Sequence, residues 1–410
     1  MSGVFSKPGL ERVKTLLETV GHPERQIRVV HVAGTNGKGS FVAMLSSILS
    51  HSSLKIGSFT SPYLYEMRES IRIDGEPISA ESMLSLLDRL SCVADTMADK
   101  PTEFELLTAA AYLAFCEAKV DIAVIECGMG AMRDATNVIS SPLLSVITGV
   151  SIDHTAFLGA SEREIAKEKS GVIKKGCPVL VGKVGTDALD VITEKANGLG
   201  ARMIRPEDPE INRLTFDNSV ISVSGIENII LPLLGVHQPS NLSLAVTAAK
   251  LLAERFPTIT EESIRKGISA VRWPARFEIL SRNPIFVYDG AHNLEGVRSA
   301  VESIKAYFEG KVICLTGVLS DKEYERMARE ISDVAESVVT ITPPNSRALP
   351  AEDYALVFKM RGVNAEAAKS VTDGVEKALA KAQKSGLPVV TLGSLYIYSE
   401  VRDVLKNKLK

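Results

Sequence analysis

His31-Val32-Ala33-Gly34-Thr35-Asn36-Gly37-Lys38-Gly39-Ser40 is the stretch that decides the fold of this chain. The run Ile27-Arg28-Val29-Val30 leads into it, and an apolar helical pattern over 41–49 leads out. The order is strand, glycine-rich turn, helix start. Such a turn points several backbone N–H groups inward, and the dipole of the following helix adds partial positive charge, so phosphate is favoured there. Lys38 supplies a full charge for the outer phosphates of a nucleotide, and Ser40 a hydroxyl near its metal. The loop is a variant of the standard form. Val32 stands where the first glycine is usual, and Gly39 intervenes between Lys38 and Ser40. A plain strand-to-helix turn would show one or two glycines without the lysine.

At 410 residues the chain exceeds what one hydrophobic core usually organises, so two domains are expected, 1–280 and 281–410. A net charge of −3 argues against a broad nucleic-acid surface. No apolar run approaches the roughly 20 residues needed to cross a bilayer. Residues 1–7 lack the apolar core of a secretory signal, so a cytoplasmic protein is expected. Cys92, Cys116, Cys127, Cys177 and Cys314 form no CxxC pair and read as reduced core thiols.

Strand-like runs at 27–32, 55–59, 122–126, 144–149 and 178–181 alternate with helical patterns at 79–98, 102–118, 161–174 and 185–198. This alternation predicts an α/β domain with a mostly parallel sheet around the phosphate loop. Short alternating runs in 202–234, joined by Asp217-Asn218, predict a small antiparallel insertion. Helices follow at 242–256 and 264–271. A second, smaller Rossmann-like α/β domain is predicted from strands at 285–289, 312–317, 338–342 and 388–393, with helices at 294–308, 322–335, 367–384 and 395–407. A nucleotide clamped between the two domains would couple their closure to catalysis.

Further residues narrow the chemistry. Ile122-Ala123-Val124-Ile125 is a buried-strand pattern ending in Glu126, and a carboxylate at that end of a parallel strand suits a magnesium ligand. A helix-capping or surface-paired glutamate is the plainer alternative. Asp153-His154-Thr155 follows the next strand at the same end of the sheet, although a lone histidine is as often structural. Ser161 and Glu164 form a capping box. Lys169 falls four residues after Ile165 and four before Ile173, on the apolar stripe of that helix, and a buried lysine is costly unless paired or chemically changed. Asn241 and Arg276 read as nucleotide contacts, or as a helix cap and a surface ion pair. Asn293 caps the helix from Leu294, whereas Asp289 and His292 show no structural role.

Together these motifs resemble the folylpolyglutamate synthase/dihydrofolate synthase family of ATP-dependent Mur-type ligases. The resemblance rests on Gly34 to Ser40, Thr60-Ser61-Pro62, Asp134-Ala135-Thr136-Asn137, Asp153-His154-Thr155 and Glu168-Lys169-Ser170-Gly171. It continues with His237-Gln238 and Asn241, Trp273-Pro274 with Arg276-Phe277-Glu278, and Asp289-Gly290-Ala291-His292-Asn293. The resemblance implies that Gly34, Thr35, Asn36, Gly37, Lys38, Gly39 and Ser40 hold the ATP phosphates. It implies that Ser61 and Glu126 ligate one Mg²⁺, and that His154 ligates a second with Lys169 converted by CO₂ into a carbamate. Asn241, Arg276 and Asp289 would contact the nucleotide, with His292 close to the transferred phosphate or the incoming amino acid. Lys38, Lys169 and His292 would be catalytic, and Asp134, Thr136, Asn137 and Asp153 would bind substrate. The implied reaction turns a folate or dihydropteroate carboxylate into an acyl phosphate, which the amine of L-glutamate attacks, in a monomer.

The chain also departs from the family pattern. Ala131 and Met132 stand where glycine and arginine are usual, with Arg133 one place later. Tyr63 replaces a histidine, Arg68 an asparagine and Ser70 an arginine, all in loops expected to face pterin or glutamate. Two other readings stay open. One is another Mur-type ligase with a different acceptor, although such enzymes usually read Gly-Lys-Thr or Gly-Lys-Ser in the loop. The other is a catalytically degenerate, nucleotide-binding regulatory protein.

Overall fold

The computed structural model describes residues 9–408, so the stretch read for a secretory signal lies outside it. Strands β1 (Val29–Ala33), β2 (Ile56–Phe59), β3 (Ile71–Ile73), β4 (Glu76–Pro77), β5 (Ile122–Glu126), β6 (Leu144–Gly149), β7 (Val179–Lys183) and β8 (Met203–Ile204) form one sheet, in the order β4-β3-β2-β5-β1-β6-β7-β8. β1 runs parallel to both β5 and β6, and β2 parallel to β5; only β3 and β4 are antiparallel. Every residue of β1, β2 and β5 is buried, which is why these strands read as continuous apolar runs rather than alternating ones. The phosphate loop leaves the carboxyl end of β1, flanked by the ends of β5 and β6. That end of an open parallel sheet is where ligands bind.

Helix Lys38–Ser50 starts from Gly37, whose φ of 84° lies in the left-handed region that glycine tolerates. It meets helix Glu261–Ala270 backbone to backbone. A Cβ on Gly267 would lie 2.4 Å from Ile48 Cα, and Ser47 Oγ donates to the Gly267 carbonyl at 2.7 Å. This close seam fixes the helix that carries Lys38 and Ser40.

Strands β9 (Glu210–Leu214), β10 (Ser219–Val223) and β11 (Ile226–Leu231) make the small sheet expected in 202–234. A six-stranded sheet follows, built from β12 (Glu278–Arg282), β13 (Ile285–Tyr288), β14 (Val312–Thr316), β15 (Ala335–Thr340), β16 (Asn364–Ala367) and β17 (Val389–Leu392). Its order is β12-β13-β17-β14-β15-β16, parallel except for β12. The chain divides into two units. The first runs to Asn212 and takes up Val220–Leu231 and Pro239–Val271; the second holds Arg213–Ser219, Pro232–Gln238 and the chain from Arg272 onward. Residues 272–280, which the sequence reading groups with the first domain, thus belong to the second unit.

Several elements differ from expectation. The helix expected over 161–174 stops at Lys169 and tightens into the 3₁₀ turn Ser170–Val172. The helix expected from 242 already begins at Gln238. Ser370 caps the helix Val371–Ser385, four residues later than expected. Helix Ala351–Lys359 and strand β16 were not foreseen. Asn364-Ala365-Glu366-Ala367 has weak strand propensity and becomes a strand through pairing with β15. Among the described residues no helix is long and apolar enough to cross a membrane.

Candidate active site

The phosphate loop is tied down on the β6 side. Thr35 N–H donates to the Gly149 carbonyl at 2.9 Å, and Thr35 Oγ1 both donates to the Ser151 carbonyl and accepts its N–H. Thr148 Oγ1 donates to the Asn36 carbonyl at 2.7 Å. Gly34 sits so close to this strand that a Cβ would lie 1.9 Å from Thr148 Oγ1, and a Cβ on Gly37 would lie 2.6 Å from Asn241 Oδ1. Asn241 therefore touches the loop directly. It lies inside helix Gln238–Ala253 rather than at its cap, so the capping alternative does not hold.

Lys38 Nζ donates to the carbonyls of Gly34 and Thr35 at 3.1 and 3.2 Å and stands 3.7 Å from Glu126 Oε1. Glu126 is 4% exposed at the end of β5, so it is neither a helix cap nor a surface-paired glutamate. Ser40 is buried in the first turn of the loop helix, and Ser61 follows β2 at the same sheet end. Beneath the loop lies Lys169, 3% exposed, its Nζ donating to the Gly34 carbonyl at 2.8 Å. Burial, with the positive charge of Lys38, pushes the amine down to about 7; Cys127, Asp153 and Asp134 oppose the shift. Near pH 7 the amine is therefore divided between its charged and neutral forms. His154 begins the short helix Thr155–Leu158 with φ 51°, its N–H donating to Asp153 Oδ1 at 2.8 Å, and its ring Nε2 is 3.8 Å from Asp153 Oδ2.

The donor chemistry suits magnesium. Ser61 and Glu126 offer hard oxygen atoms, and Mg²⁺ usually takes few protein ligands beside water and phosphate oxygens. Among the described residues no three His, Cys, Asp or Glu side chains converge as a preformed metal site. Lys169 suits so hard an ion only as an oxygen-bearing carbamate, since an amine held near Lys38 is a poor ligand for it.

A buried network underlies this end of the sheet. Asp134 Oδ2 accepts Met129 N–H at 2.8 Å, and Oδ1 accepts Thr136 N–H at 3.0 Å and its hydroxyl at 2.6 Å. His31 Nε2 then lies 2.9 Å from Thr136 Oγ1 and 3.2 Å from Cys127 Sγ, while Tyr112 OH donates to the Thr136 carbonyl. Thr136 spends its one proton on Asp134, so His31 must donate from Nε2, and its Nδ1 is left without a partner. Burial pushes His31 down to about 3 and keeps it neutral. Asn137 Nδ2 donates to the Met132 and Gly171 carbonyls. Asp134, Thr136 and Asn137, expected at the substrate, thus bind chain. No sequence signal pairs His31 with Thr136, 105 residues away.

The departures from the family pattern separate in space. Tyr63 and Met132 are exposed, whereas Ala131 and Ser70 are buried. Arg68 pairs with Glu66 and Arg133 with Glu168.

The second unit carries its own cluster. Asp289, 4% exposed after β13, accepts Phe277 N–H on Oδ2 and Ala291 N–H on Oδ1, both at 2.8 Å. It therefore has the structural role that the sequence did not reveal, holding a segment where Ala275 and Phe277 adopt positive φ. Arg276 Nη1 donates to the Ala275 carbonyl and crowds Gly290, where a Cβ would lie 2.3 Å away; Arg276 is thus no surface ion pair. His292 Nδ1 is 3.0 Å from the Gly290 carbonyl. Asn293 caps its helix as expected, accepting Gly296 N–H. His237 faces Ser299 Oγ at 3.0 Å; burial and Arg276 lower its pKa, against Asp289.

Known proteins resemble this chain along nearly its whole length. The Mur ligase middle domain family matches residues 32–249, and the Mur ligase glutamate ligase domain family residues 275–395. The folylpolyglutamate synthase of Lacticaseibacillus casei is 34% identical, with 96% of this chain and 94% of that protein covered. The dihydrofolate synthase/folylpolyglutamate synthase of Bacillus subtilis (strain 168) is 35% identical, covering 98% and 95%. The structure of Mycobacterium tuberculosis folylpolyglutamate synthase complexed with ADP and AMPPCP matches with a TM-score of 0.89 at 29% identity, covering 98% of this chain and 95% of that one. An FPGS–AMPPCP–folate complex matches with a TM-score of 0.85 at 32% identity, covering 98% and 96%. By sequence along nearly its full length and by fold, the chain belongs to the folylpolyglutamate synthase/dihydrofolate synthase family of Mur ligases, and it is an ATP-dependent ligase.

Proposed function

We propose that the chain joins L-glutamate to a carboxylate of a folate or of dihydropteroate. The carboxylate oxygen attacks the γ-phosphorus of ATP, releasing ADP. The glutamate amine then attacks the acyl phosphate, phosphate leaves, and the amine gives up a proton as the amide forms. The observation that carries this reading is Lys169. Its partly neutral amine lies against Gly34 under a loop whose Lys38 stands beside Glu126.

Lys38 and the loop N–H groups draw charge off the γ-phosphoryl group as it transfers. Ser61 and Glu126 would hold one Mg²⁺, and His154 with carbamylated Lys169 a second; magnesium offsets charge on the phosphates. A neutral amine is the form that captures CO₂, so the depressed pKa of Lys169 favours the carbamate near neutral pH. Asn241, beside Gly37, would meet the nucleotide from the first unit. Arg276, His292 and Asp289 would serve nucleotide and glutamate from the second, Asp289 by shaping the 275–277 backbone. Asp153 would act through His154, whose backbone it holds. Functionally, the first unit would carry the ATP phosphates, and the second, which takes in the chain from Arg272 onward, would supply the glutamate side. The enzyme would work as a cytoplasmic monomer.

ADP release with Mg-ATP and L-glutamate, with dihydropteroate, with tetrahydrofolate or with no acceptor, tests the reading. Release with both acceptors establishes a bifunctional enzyme, and release with one names the activity. Release independent of either acceptor overturns the folate assignment.

A further inference from the structure

Asn137 is 7% exposed and lies in the segment that follows Glu126. Both neighbours of its Nδ2 are carbonyl oxygens: Met132, in the loop after Glu126, at 3.3 Å, and Gly171, two residues past Lys169, at 3.2 Å. Each amide proton is therefore committed to a different segment, and Oδ1 is left buried without a donor. The same two segments meet at three more points, one of them the Arg133–Glu168 ion pair. Met132 N–H donates to the Glu168 carbonyl at 3.0 Å, and Gly171 lies flush against Met132, where a Cβ would come within 2.5 Å of Met132 Cα. The anchor is stiff, because the neighbouring Thr136 is held by Asp134, His31 and Tyr112.

We infer that Asn137 is a positioning residue, which clamps the end of the Lys169 helix to the loop after Glu126 and so sets where the Lys169 side chain sits under the phosphate loop. Both amide protons are committed to backbone carbonyls and the residue is buried, which suits a clamp rather than a substrate ligand. The inference rests on the proposed role of Lys169. A group that orients a functional side chain from behind commonly costs 10–100-fold when removed.

Steady-state kinetics of the full chain with tetrahydrofolate and dihydropteroate as acceptors test this. Asn137→Ala should lower kcat roughly 10–100-fold with the acceptor KM within about twofold of wild type. Gly171→Ala wedges the same seam open without touching the amide and should give the same split; it decides the matter if Asn137→Ala does not fold. In Lys169→Ala, adding Asn137→Ala should cost nothing further. ¹³C NMR in ¹³C-bicarbonate, without ATP, should show lower carbamate occupancy in Asn137→Ala than in wild type. An acceptor KM that rises while kcat holds would make Asn137 a substrate ligand and overturn the inference, as would an unchanged kcat in both variants. If wild type shows no carbamate, the carbamate reading fails while the kinetic split still decides the role of Asn137. If Lys169→Ala alone keeps full turnover, the Lys169 reading fails and the inference falls with it.

Discussion

Lys169 Nζ and the Gly34 carbonyl oxygen, 135 residues apart in sequence, are joined by a 2.8 Å hydrogen bond. A group at the end of one helix is thereby fixed to the first glycine of the phosphate loop. With Lys38 nearby, two cationic side chains share one loop, and the more buried of them, Lys169, loses proton affinity.

Replacing Lys169 by alanine should lower turnover at least roughly 100-fold, about 3 kcal/mol of transition-state stabilisation. Formate or acetate should restore part of it by standing in for the carbamate oxygens. Lys169→Arg, which cannot become a carbamate, should stay inactive and unrescued. Failure of rescue in a folded Lys169→Ala variant would count against the carbamate.

Gly34→Ala should weaken ATP at least about tenfold, because the added Cβ meets Thr148 Oγ1 and a glycine φ of 155°. Thr148→Ala in the same chain should recover part of the loss. ATP titration by calorimetry reads both, and unchanged affinity in Gly34→Ala would show that the loop is not held as described.

His31 should make the fold acid-sensitive. Its folded pKa, about 3, lies below its ordinary value of 6.5, so between these pH values the unfolded chain binds a proton that the folded chain refuses. Stability from this group is therefore complete above pH 6.5 and falls by about 1.4 kcal/mol per pH unit below it. His31→Gln keeps a donor for Thr136 but does not titrate. Urea midpoints from pH 7 to 4 should drop more steeply in wild type than in His31→Gln, and parallel curves would contradict the assignment.

Asp289→Ala should destabilise the protein by about 1–3 kcal/mol, since it strands the buried N–H groups of Phe277 and Ala291. A lowered melting temperature together with a raised ATP KM is expected. A raised KM at unchanged stability would mean that Asp289 acts on the nucleotide alone.

Much of this site was legible because its elements are local. Strand β1, the glycine turn and the helix from Lys38 follow one another without a break. Strand β5 ends at Glu126 as its apolar run predicts, and helical periodicity alone placed Lys169 on a buried face. The Ser161–Glu164 capping box and the Asn293 cap were readable for the same reason. What stayed hidden is carried by contacts between distant segments. Asp289 organises Phe277 through a backbone N–H, which no residue pattern encodes. Asn137 stands in a motif whose resemblance implies substrate binding, and the carbonyls of Met132 and Gly171 around it show only in the folded chain. The burial of Ser70, whose carbonyl accepts the Thr60 N–H, is likewise carried by a contact that its loop sequence does not display.

The central claim is that a carboxylate is activated as an acyl phosphate before glutamate adds. Tetrahydrofolate, or dihydropteroate, carrying ¹⁸O in its reacting carboxylate tests it in a single turnover series with Mg-ATP and L-glutamate. One ¹⁸O atom should pass into each phosphate released as the amide forms. Glutamate addition with ¹⁸O absent from the phosphate would contradict the account.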